Sequence, residues 1–195
     1  MLGGTNPWIS MWVEPRSTIR SIVSTNPNFG VIYLASIYFL QNFFYFLSQF
    51  YLFAFPYSFL ILAVALSPVF GVIWFYMTGL IFYGIGYCFK GKASLSQLVA
   101  AIAWSKIPMS VSLLMWIILL IADQGVELSY YSEGVVSVFI ILIALILAAW
   151  SWVLLVQSIR EIQGFSIGKT LVYIALVYLV VFVLILIISW LSTIV

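Results

Sequence analysis

NPNFGVIYLASIYFLQNFFYFLSQFYLFAFPYSFLILAVALSPVFGVIWFYMTGLIFYGIGYCF, residues 26–89, contains no Asp, Glu, Lys or Arg. A helix crosses a bilayer in roughly 20 mostly apolar residues, because lipid offers no partner for backbone amides and carbonyls. This run is long enough for two crossings and therefore predicts a hairpin of two membrane helices. Pro56 has no backbone donor and marks the turn near Phe55-Pro56-Tyr57.

The composition excludes a soluble globular protein. Of 195 residues, 66% are hydrophobic and 6% are charged, whereas a soluble domain is about 45–50% apolar and about 25% charged. A net charge of +2 is too small for a nucleic-acid face, so no nucleic-acid partner is expected. One Cys excludes an internal disulfide, and the lack of His removes imidazole-based zinc sites and catalysis. We expect no cofactor and no enzyme activity.

The hydropathy pattern predicts five membrane helices along the chain. Their approximate bounds are residues 29–55, 59–89, 98–122, 135–158 and 170–190. These spans leave no room for a separate soluble domain. The predicted fold class is therefore all-α integral membrane, with a cytoplasmic interfacial segment (residues 1–28) before a five-span domain (residues 29–195).

The basic residues predict the orientation, because Lys and Arg in short loops are retained in the cytoplasm. Five spans place six cations on one side: Arg16, Arg20, Lys90, Lys92, Arg160 and Lys169. The other side receives the turn at Pro56, an acidic loop and the C-terminus. A count of four or six spans would scatter the cations over both faces. We therefore predict a cytoplasmic N-terminus and an external C-terminus.

The segment before the first span predicts two short amphipathic helices on the cytoplasmic leaflet. Apolar residues recur at helical spacing on either side of Pro15: Trp8, Ile9, Trp12 and Val13, then Ile19, Ile22 and Val23. The alternative is a poorly ordered tail with two fortuitous tryptophans. The segment is not a cleavable signal peptide, because charged residues interrupt its apolar run.

Lys106 is the only charged side chain placed well inside a predicted span, which makes it a candidate site. Ser94 and Gln97 have the spacing of a capping box, and Pro108 predicts a kink. In one interpretation residues 94–105 form an amphipathic entry segment, and Lys106 extends to the cytoplasmic headgroups. In the other, Lys106 and the carbonyl freed by Pro108 face a cavity that binds an anionic headgroup or a small anion.

Further polar residues lie inside the spans. The candidate in-membrane site comprises Lys106, Pro108, Trp104, Gln41, Asn42 and Ser67. Amides in lipid usually bond between helices, so Gln41 and Asn42 are interpreted first as packing contacts and second as a solute path. Ser151 is expected to donate to a carbonyl one turn back.

The loop between the last two spans, residues 160–166, combines capping residues with charge. Arg160 and Glu161 lie about 100° apart on a helix, which argues against a pair between them. Gly164 can end one helix in the left-handed conformation, and Ser166 can cap the next. A simple turn explains this loop; the alternative is a cytoplasmic partner surface comprising Arg16, Arg20, Arg160, Glu161, Gly164 and Phe165.

Three motifs in order resemble those of the Yip1 domain family, five-span proteins with a cytosolic N-terminus. Residues 6–19 are similar to its opening P-R-x-T helix, and residues 103–108 (AWSKIP) to its G-Y-S-x-x-P-like element. Residues 160–166 (REIQGFS) are similar to its R-E-V-H-G-F-S turn. The resemblance covers nearly the whole chain.

The resemblance implies a role in membrane trafficking or homeostasis, since eukaryotic members act between the endoplasmic reticulum and the Golgi and bind prenylated Rab GTPases and each other. Those members carry a long cytosolic N-terminal segment, whereas only about 28 residues precede the first span here. This departure argues against small-GTPase binding and favours the short prokaryotic branch. It also favours a bacterial or archaeal cytoplasmic membrane over the ER or Golgi membrane of a eukaryote. The resemblance implies no catalytic residues.

Two functions follow from these observations. The first is a non-enzymatic membrane organiser or adaptor whose partners are membrane lipids and, as an open alternative, other membrane proteins or copies of itself. The second is a small transporter, channel or lipid-handling protein with its site near Lys106 and Pro108. An enzyme using Asp123, Glu127 and Glu133 ranks third, because such carboxylates are typical of a solvated loop.

Overall fold

The computed structural model describes residues 6–48, 57–122 and 135–192, and within these ranges every regular element is a helix. The helices are α1 (Pro7–Val13), α2 (Pro15–Thr25), α3 (Val31–Ser48), α4 (Tyr57–Cys88), α5 (Leu95–Ser105), α6 (Ile107–Ala122), α7 (Val135–Gln163) and α8 (Ile167–Ser192). The all-α prediction is confirmed. The predicted turn at Pro56, the acidic loop with Asp123, Glu127 and Glu133, and the last three residues lie outside the described ranges.

Among the described residues, three helices are long and apolar enough to cross a membrane, within α4, α7 and α8. Helices α5 and α6 form a bent pair with an angle of 42° between them and make a fourth candidate if the pair is one span. Helix α3 is a shorter apolar helix. Its predicted span, residues 29–55, extends into the part of the chain that is not described. In the described part of the chain, length and composition thus support three or four spans, and the count of five stays a prediction.

Helices α1 and α2 pack onto the bundle. Pro7 and Pro15 occupy their first turns, where a missing N–H costs nothing. In α2, Ile19 and Ile22 are buried, whereas Arg16 and Arg20 are exposed. In α1 the packed residue is Met11, which is fully buried.

The predicted apolar face of α1 is therefore only half right. Trp8 and Trp12 pack against the core, but Ile9 and Val13 are 67% and 78% exposed. Met11 lies about one helical turn from Trp8, so the packed face of α1 contains Trp8, Met11 and Trp12. Ile9 and Val13 lie on the outer side of the helix.

Helix α5 is the centre of the bundle. Every residue from Leu98 to Ser105 is buried, because α2, α3, α4 and α7 surround this helix. The expectation of an amphipathic entry segment over residues 94–105 is wrong. An amphipathic helix needs an open face, and the N-terminal helices close the face that would have met water or headgroups.

Helices α3 and α4 pack along a closely spaced seam. A Cβ on Gly71 would overlap the backbone carbonyl of Ala35. Phe39 stacks on Phe70 with ring centroids 5.5 Å apart, which continues the contact. The lack of a side chain at Gly71 therefore lets α3 and α4 approach closely.

Candidate functional site

The helix break predicted near Pro108 is present. Ser94 caps α5 in a capping box, in which its N–H donates to Gln97 Oε1 at 3.0 Å and its Oγ accepts from the Gln97 N–H at 3.4 Å. Helix α5 ends at Ser105, and α6 begins at Ile107. Both the start and the kink of this element were predicted from its sequence.

Lys106 lies at the break as a cation without a carboxylate partner among the described residues. Its Nζ is 5.5 Å from the centroid of the Tyr38 ring, a cation–π distance. The carboxylates in the described ranges belong to Glu14 and Glu161, and neither forms an ion pair with Lys106. Lys106 is partly buried, so both of its predicted roles stay open.

Ser151 on α7 contacts the break between α5 and α6 through a hydrogen bond. Its Oγ donates to the carbonyl of Ser105 at 2.9 Å, and both side chains are buried. The expected bond to a carbonyl one turn back in α7 is therefore wrong. The last carbonyls of a helix lack intrahelical donors, and Ser151 satisfies one of them from the neighbouring helix.

Trp104 is an anchor for the N-terminal helices. Its ring is fully buried, and its Nε1–H donates to the carbonyl of Phe29 at 3.0 Å. The Phe29 ring stacks on it, and Trp8 lies 5.4 Å away by ring centroids. Gly30 has φ +72° and leaves room for the indole, since a Cβ there would lie 2.8 Å from it. Trp104 is therefore fully enclosed by Trp8, Phe29, Gly30 and its other packed neighbours.

The remaining polar residues predicted inside the spans bond within their own helices. Asn42 Nδ2 donates to the Tyr38 carbonyl at 2.7 Å and to Gln41 Oε1 at 3.2 Å. Ser67 Oγ donates to the Val64 carbonyl at 2.8 Å, and Pro68 lies inside an uninterrupted α4. The prediction that the amides of Gln41 and Asn42 bond across helices is wrong, because nearer backbone acceptors satisfy Asn42. In the part of the chain that the structure describes, Gln41, Asn42 and Ser67 form no hydrogen bond with Lys106.

Arg16, Arg20 and Glu161 form a charged cluster that joins α2 to the end of α7. Arg16 Nε and Nη2 lie 2.9 and 2.8 Å from Glu161 Oε2. Arg20 Nε lies 2.6 Å from Oε1, and its Nη2 also contacts that oxygen. The Glu161 side chain is 9% exposed, whereas those of Arg16 and Arg20 are 48% and 70% exposed. As predicted, Arg160 does not pair with Glu161; the cluster has two cations for one anion.

A groove of about 490 Å³ lies beside this cluster, between the α1–α2 turn and α7. Its apolar walls include Trp12, Trp150, Val153 and Leu154. Its polar residues are Glu14, Arg16, Ser17 and Gln157. No local pattern of residues predicts the groove, because it depends on which faces of α1 and α7 meet.

Gln163 ties together three elements at the same end of the bundle, and its role was not predicted. Its Oε1 accepts from the Ala93 N–H at 3.1 Å, and its Nε2 lies 3.5 Å from the Tyr173 hydroxyl. That hydroxyl donates to the Phe82 carbonyl. A Cβ on Gly91 would overlap the Gln163 amide. A glycine can make room for an amide side chain, but Gly91 and Gln163 lie far apart in the sequence. Their spacing therefore does not predict this contact.

The turn after Gln163 follows the predicted pattern. Gly164 has φ +69°, and the Phe165 N–H returns to the Arg160 carbonyl at 3.2 Å. Ser166 caps α8 by accepting from the Lys169 N–H at 3.4 Å. The Phe165 ring is buried and carries the Lys169 ammonium 4.2 Å from its centroid. Phe165 is therefore part of the packing, whereas Gly164 and Ser166 are exposed and Arg160 is partly exposed.

The comparison with protein families identifies the chain. A model of the Yip1 domain matches residues 9–189, which is nearly the whole sequence. The chain belongs to the Yip1 domain family. The match contains the second and third motifs and all but the first three residues of the first, and it runs from within α1 to near the end of α8. Neither the curated proteins nor the solved structures gave a match. This Yip1 domain protein is thus an integral membrane protein of a known family.

Proposed function

We propose that this Yip1 domain protein is a non-enzymatic membrane organiser or adaptor that presents a cytoplasmic contact surface. The observation that carries the proposal is the cluster of Arg16, Arg20 and Glu161. Because one carboxylate holds two successive turns of α2, the basic face of α2 is fixed to the membrane bundle. A fixed charged surface suits the recruitment of other membrane proteins or of further copies of this chain.

The proposed topology has five spans, formed by α3, α4, the bent α5–α6 pair, α7 and α8, after a cytoplasmic interfacial segment of residues 1–28. Helix α3 has 18 helical residues, and at about 1.5 Å per residue they extend about 27 Å, close to a hydrocarbon core of about 30 Å. With this count, the cations of α2 and of the two cytoplasmic loops share one side. We propose the cytoplasmic membrane of a bacterium or archaeon, with the ER or Golgi membrane as the eukaryotic alternative.

The native cysteine supplies a test of the topology. Cys88 is exposed at the end of α4, which the proposal places in the cytoplasm. A membrane-impermeant thiol reagent should leave Cys88 unlabelled in intact cells and label it after lysis. In a Cys88→Ser, Ser192→Cys double variant the same reagent should label intact cells. Labelling of Cys88, or protection at position 192, in intact cells would contradict the orientation.

Cross-linking tests the contact surface. A photo-reactive residue at Ser24, exposed on α2, should capture a partner chain, whereas one at Leu179, exposed on α8, should not capture the same chain. Glu161→Gln should reduce capture from Ser24, because it removes the charge that holds Arg16 and Arg20 and so loosens the contact of α2 with α7. Equal capture at both positions would point to non-specific encounters in the bilayer and would count against an adaptor role.

A second candidate function is a small transporter, channel or lipid-handling protein. Its support is Lys106, a partly buried cation without a carboxylate partner in the described part of the chain, at a helix break. Purified protein in sealed vesicles should then move small ions or a labelled lipid, and Lys106→Ala should abolish the flux. Vesicles that stay silent would leave this candidate without support.

A further inference from the structure

The groove between the α1–α2 turn and α7 contains polar groups that no other described residue satisfies. The side chain of Gln157 and the indole N–H groups of Trp12 and Trp150 form no hydrogen bond within residues 6–48, 57–122 and 135–192. All three residues line the cavity of about 490 Å³, which is within the range of small-molecule sites. Unsatisfied donors along an apolar wall favour a ligand that carries acceptor oxygens at one end.

The charges at the rim of the groove are of opposite sign and are not paired with each other. Glu14 accepts a hydrogen bond from Ser17 Oγ at 3.0 Å and forms no ion pair within the described ranges. Arg16 uses its Nε and Nη2 on Glu161 and keeps further N–H donors of its guanidinium for another anion. The rim thus offers a carboxylate for a cation and a guanidinium for an anion, on either side of Pro15.

The apolar wall of the groove continues along α7. Trp150 and Val153 line the groove, and Ile146 and Leu142 follow on the same face at helical spacing, exposed at 67% and 48%. An acyl chain that starts in the groove would therefore find an apolar path leading away from the charged rim. Few ligands other than lipids carry both charges at one end and a long hydrocarbon at the other.

We infer that this groove binds one molecule of a zwitterionic phospholipid whose headgroup carries an ammonium. The phosphate binds Arg16, the ammonium binds Glu14, and an acyl chain lies along Trp150 and Val153. The inference rests on the proposed position of α1 and α2 at the membrane surface. It gives the surface a lipid partner that also fills the space between α1 and α7.

Lipid binding to the purified protein in mild detergent tests this inference. Native mass spectrometry with added phosphatidylethanolamine or phosphatidylglycerol should show tighter binding of phosphatidylethanolamine. Arg16→Gln should weaken that binding by about tenfold, because it removes a charge-assisted hydrogen bond to the phosphate. Glu14→Gln should remove the preference for phosphatidylethanolamine over phosphatidylglycerol.

Arg20→Gln is the matched control, since Arg20 also binds Glu161 but does not line the groove. It should bind phosphatidylethanolamine as the unchanged protein does. Equal losses in the Arg16 and Arg20 variants, or an unchanged preference in Glu14→Gln, would overturn the inference. Should Arg16→Gln not fold, Val153→Phe blocks the groove without changing any charge and must reduce binding. Because the measurement is made in detergent, its failure leaves the orientation test at Cys88 unaffected.

Discussion

Helices α5 and α8 are both strongly apolar, yet the bundle uses them in opposite ways. In α5 every side chain from Leu98 to Ser105 is buried. In α8 the buried residues are Thr170, Tyr173, Ile174 and Val177, and the side chains described beyond them are exposed or only partly covered. Hydropathy therefore identifies both as apolar helices of a membrane protein, but it does not show whether their side chains contact protein or lipid. The difference between the two helices lies in their contacts.

The largest effect should come from Trp104→Ala. The change empties a fully buried site and removes the hydrogen bond to the Phe29 carbonyl. We expect a loss of about 3–5 kcal/mol in the free energy of unfolding. Phe182→Ala in α8, where the side chain is 57% exposed, should change stability by a small fraction of that. Thermal unfolding in detergent measures both, and similar losses would remove the distinction between the two helices.

Gly79→Val tests how tightly α4 packs against α5. A Cβ at Gly79 would lie 2.7 Å from Val99 Cγ2, whereas a Cβ at Gly84 would meet nothing within 4 Å. We expect Gly79→Val to cost about 1–3 kcal/mol through overpacking and Gly84→Val to cost much less. The melting temperatures of the pair check the contrast. A larger loss at Gly84 would mean that α4 meets a second surface there.

Glu161→Gln sharpens the comparison at the end of the bundle where α2 packs against α7. The variant loses the charge that holds Arg16 and Arg20, and because both arginines are largely exposed we expect a loss of about 1 kcal/mol. The effect should be local, so amide hydrogen exchange should speed up in α2 and stay unchanged in α8. Arg160→Gln, which removes a neighbouring charge outside the cluster, is the control. Faster exchange in α8 would show that the cluster stabilises the whole bundle.

An equally small effect is expected for Ser151→Ala. Ser151 bonds across to the Ser105 carbonyl, and its loss should cost about 1 kcal/mol by leaving a buried acceptor unsatisfied. Ser36→Ala removes a hydroxyl that bonds to the Ile32 carbonyl in its own helix and should be nearly neutral. Chemical or thermal unfolding of the two variants decides between them. Equal costs would mean that the interhelical bond adds nothing at the break.

Local signals predicted much of this structure. The capping box at Ser94, the break before Pro108 and the left-handed Gly164 each depend on a few adjacent residues, and all three are confirmed. The family predicted from three short motifs is also confirmed.

Contacts between distant residues were not predictable in the same way. Glu161 binds Arg20 and Arg16, which lie 141 and 145 residues away in the sequence. Ser151 bonds to Ser105, which lies 46 residues away. Ser, Gln and Asn side chains can bond to their own helix or to a neighbour, and sequence spacing does not choose between these acceptors. Gln163 bonds across elements while Asn42 does not, although both are amides in apolar helices. The groove beside α7 was missed for the same reason.

The position of α5 has a consequence for biogenesis. The ribosome completes this helix well before α7, whose side chains cover it, and makes Arg16 long before Glu161 exists. Until α7 is synthesised, α5 and the N-terminal helices of the nascent chain must therefore adopt a different arrangement. The insertion machinery or lipid would cover them during that time. Truncation before residue 135, which removes α7, should leave a polypeptide that inserts but is recognised by membrane quality-control proteases.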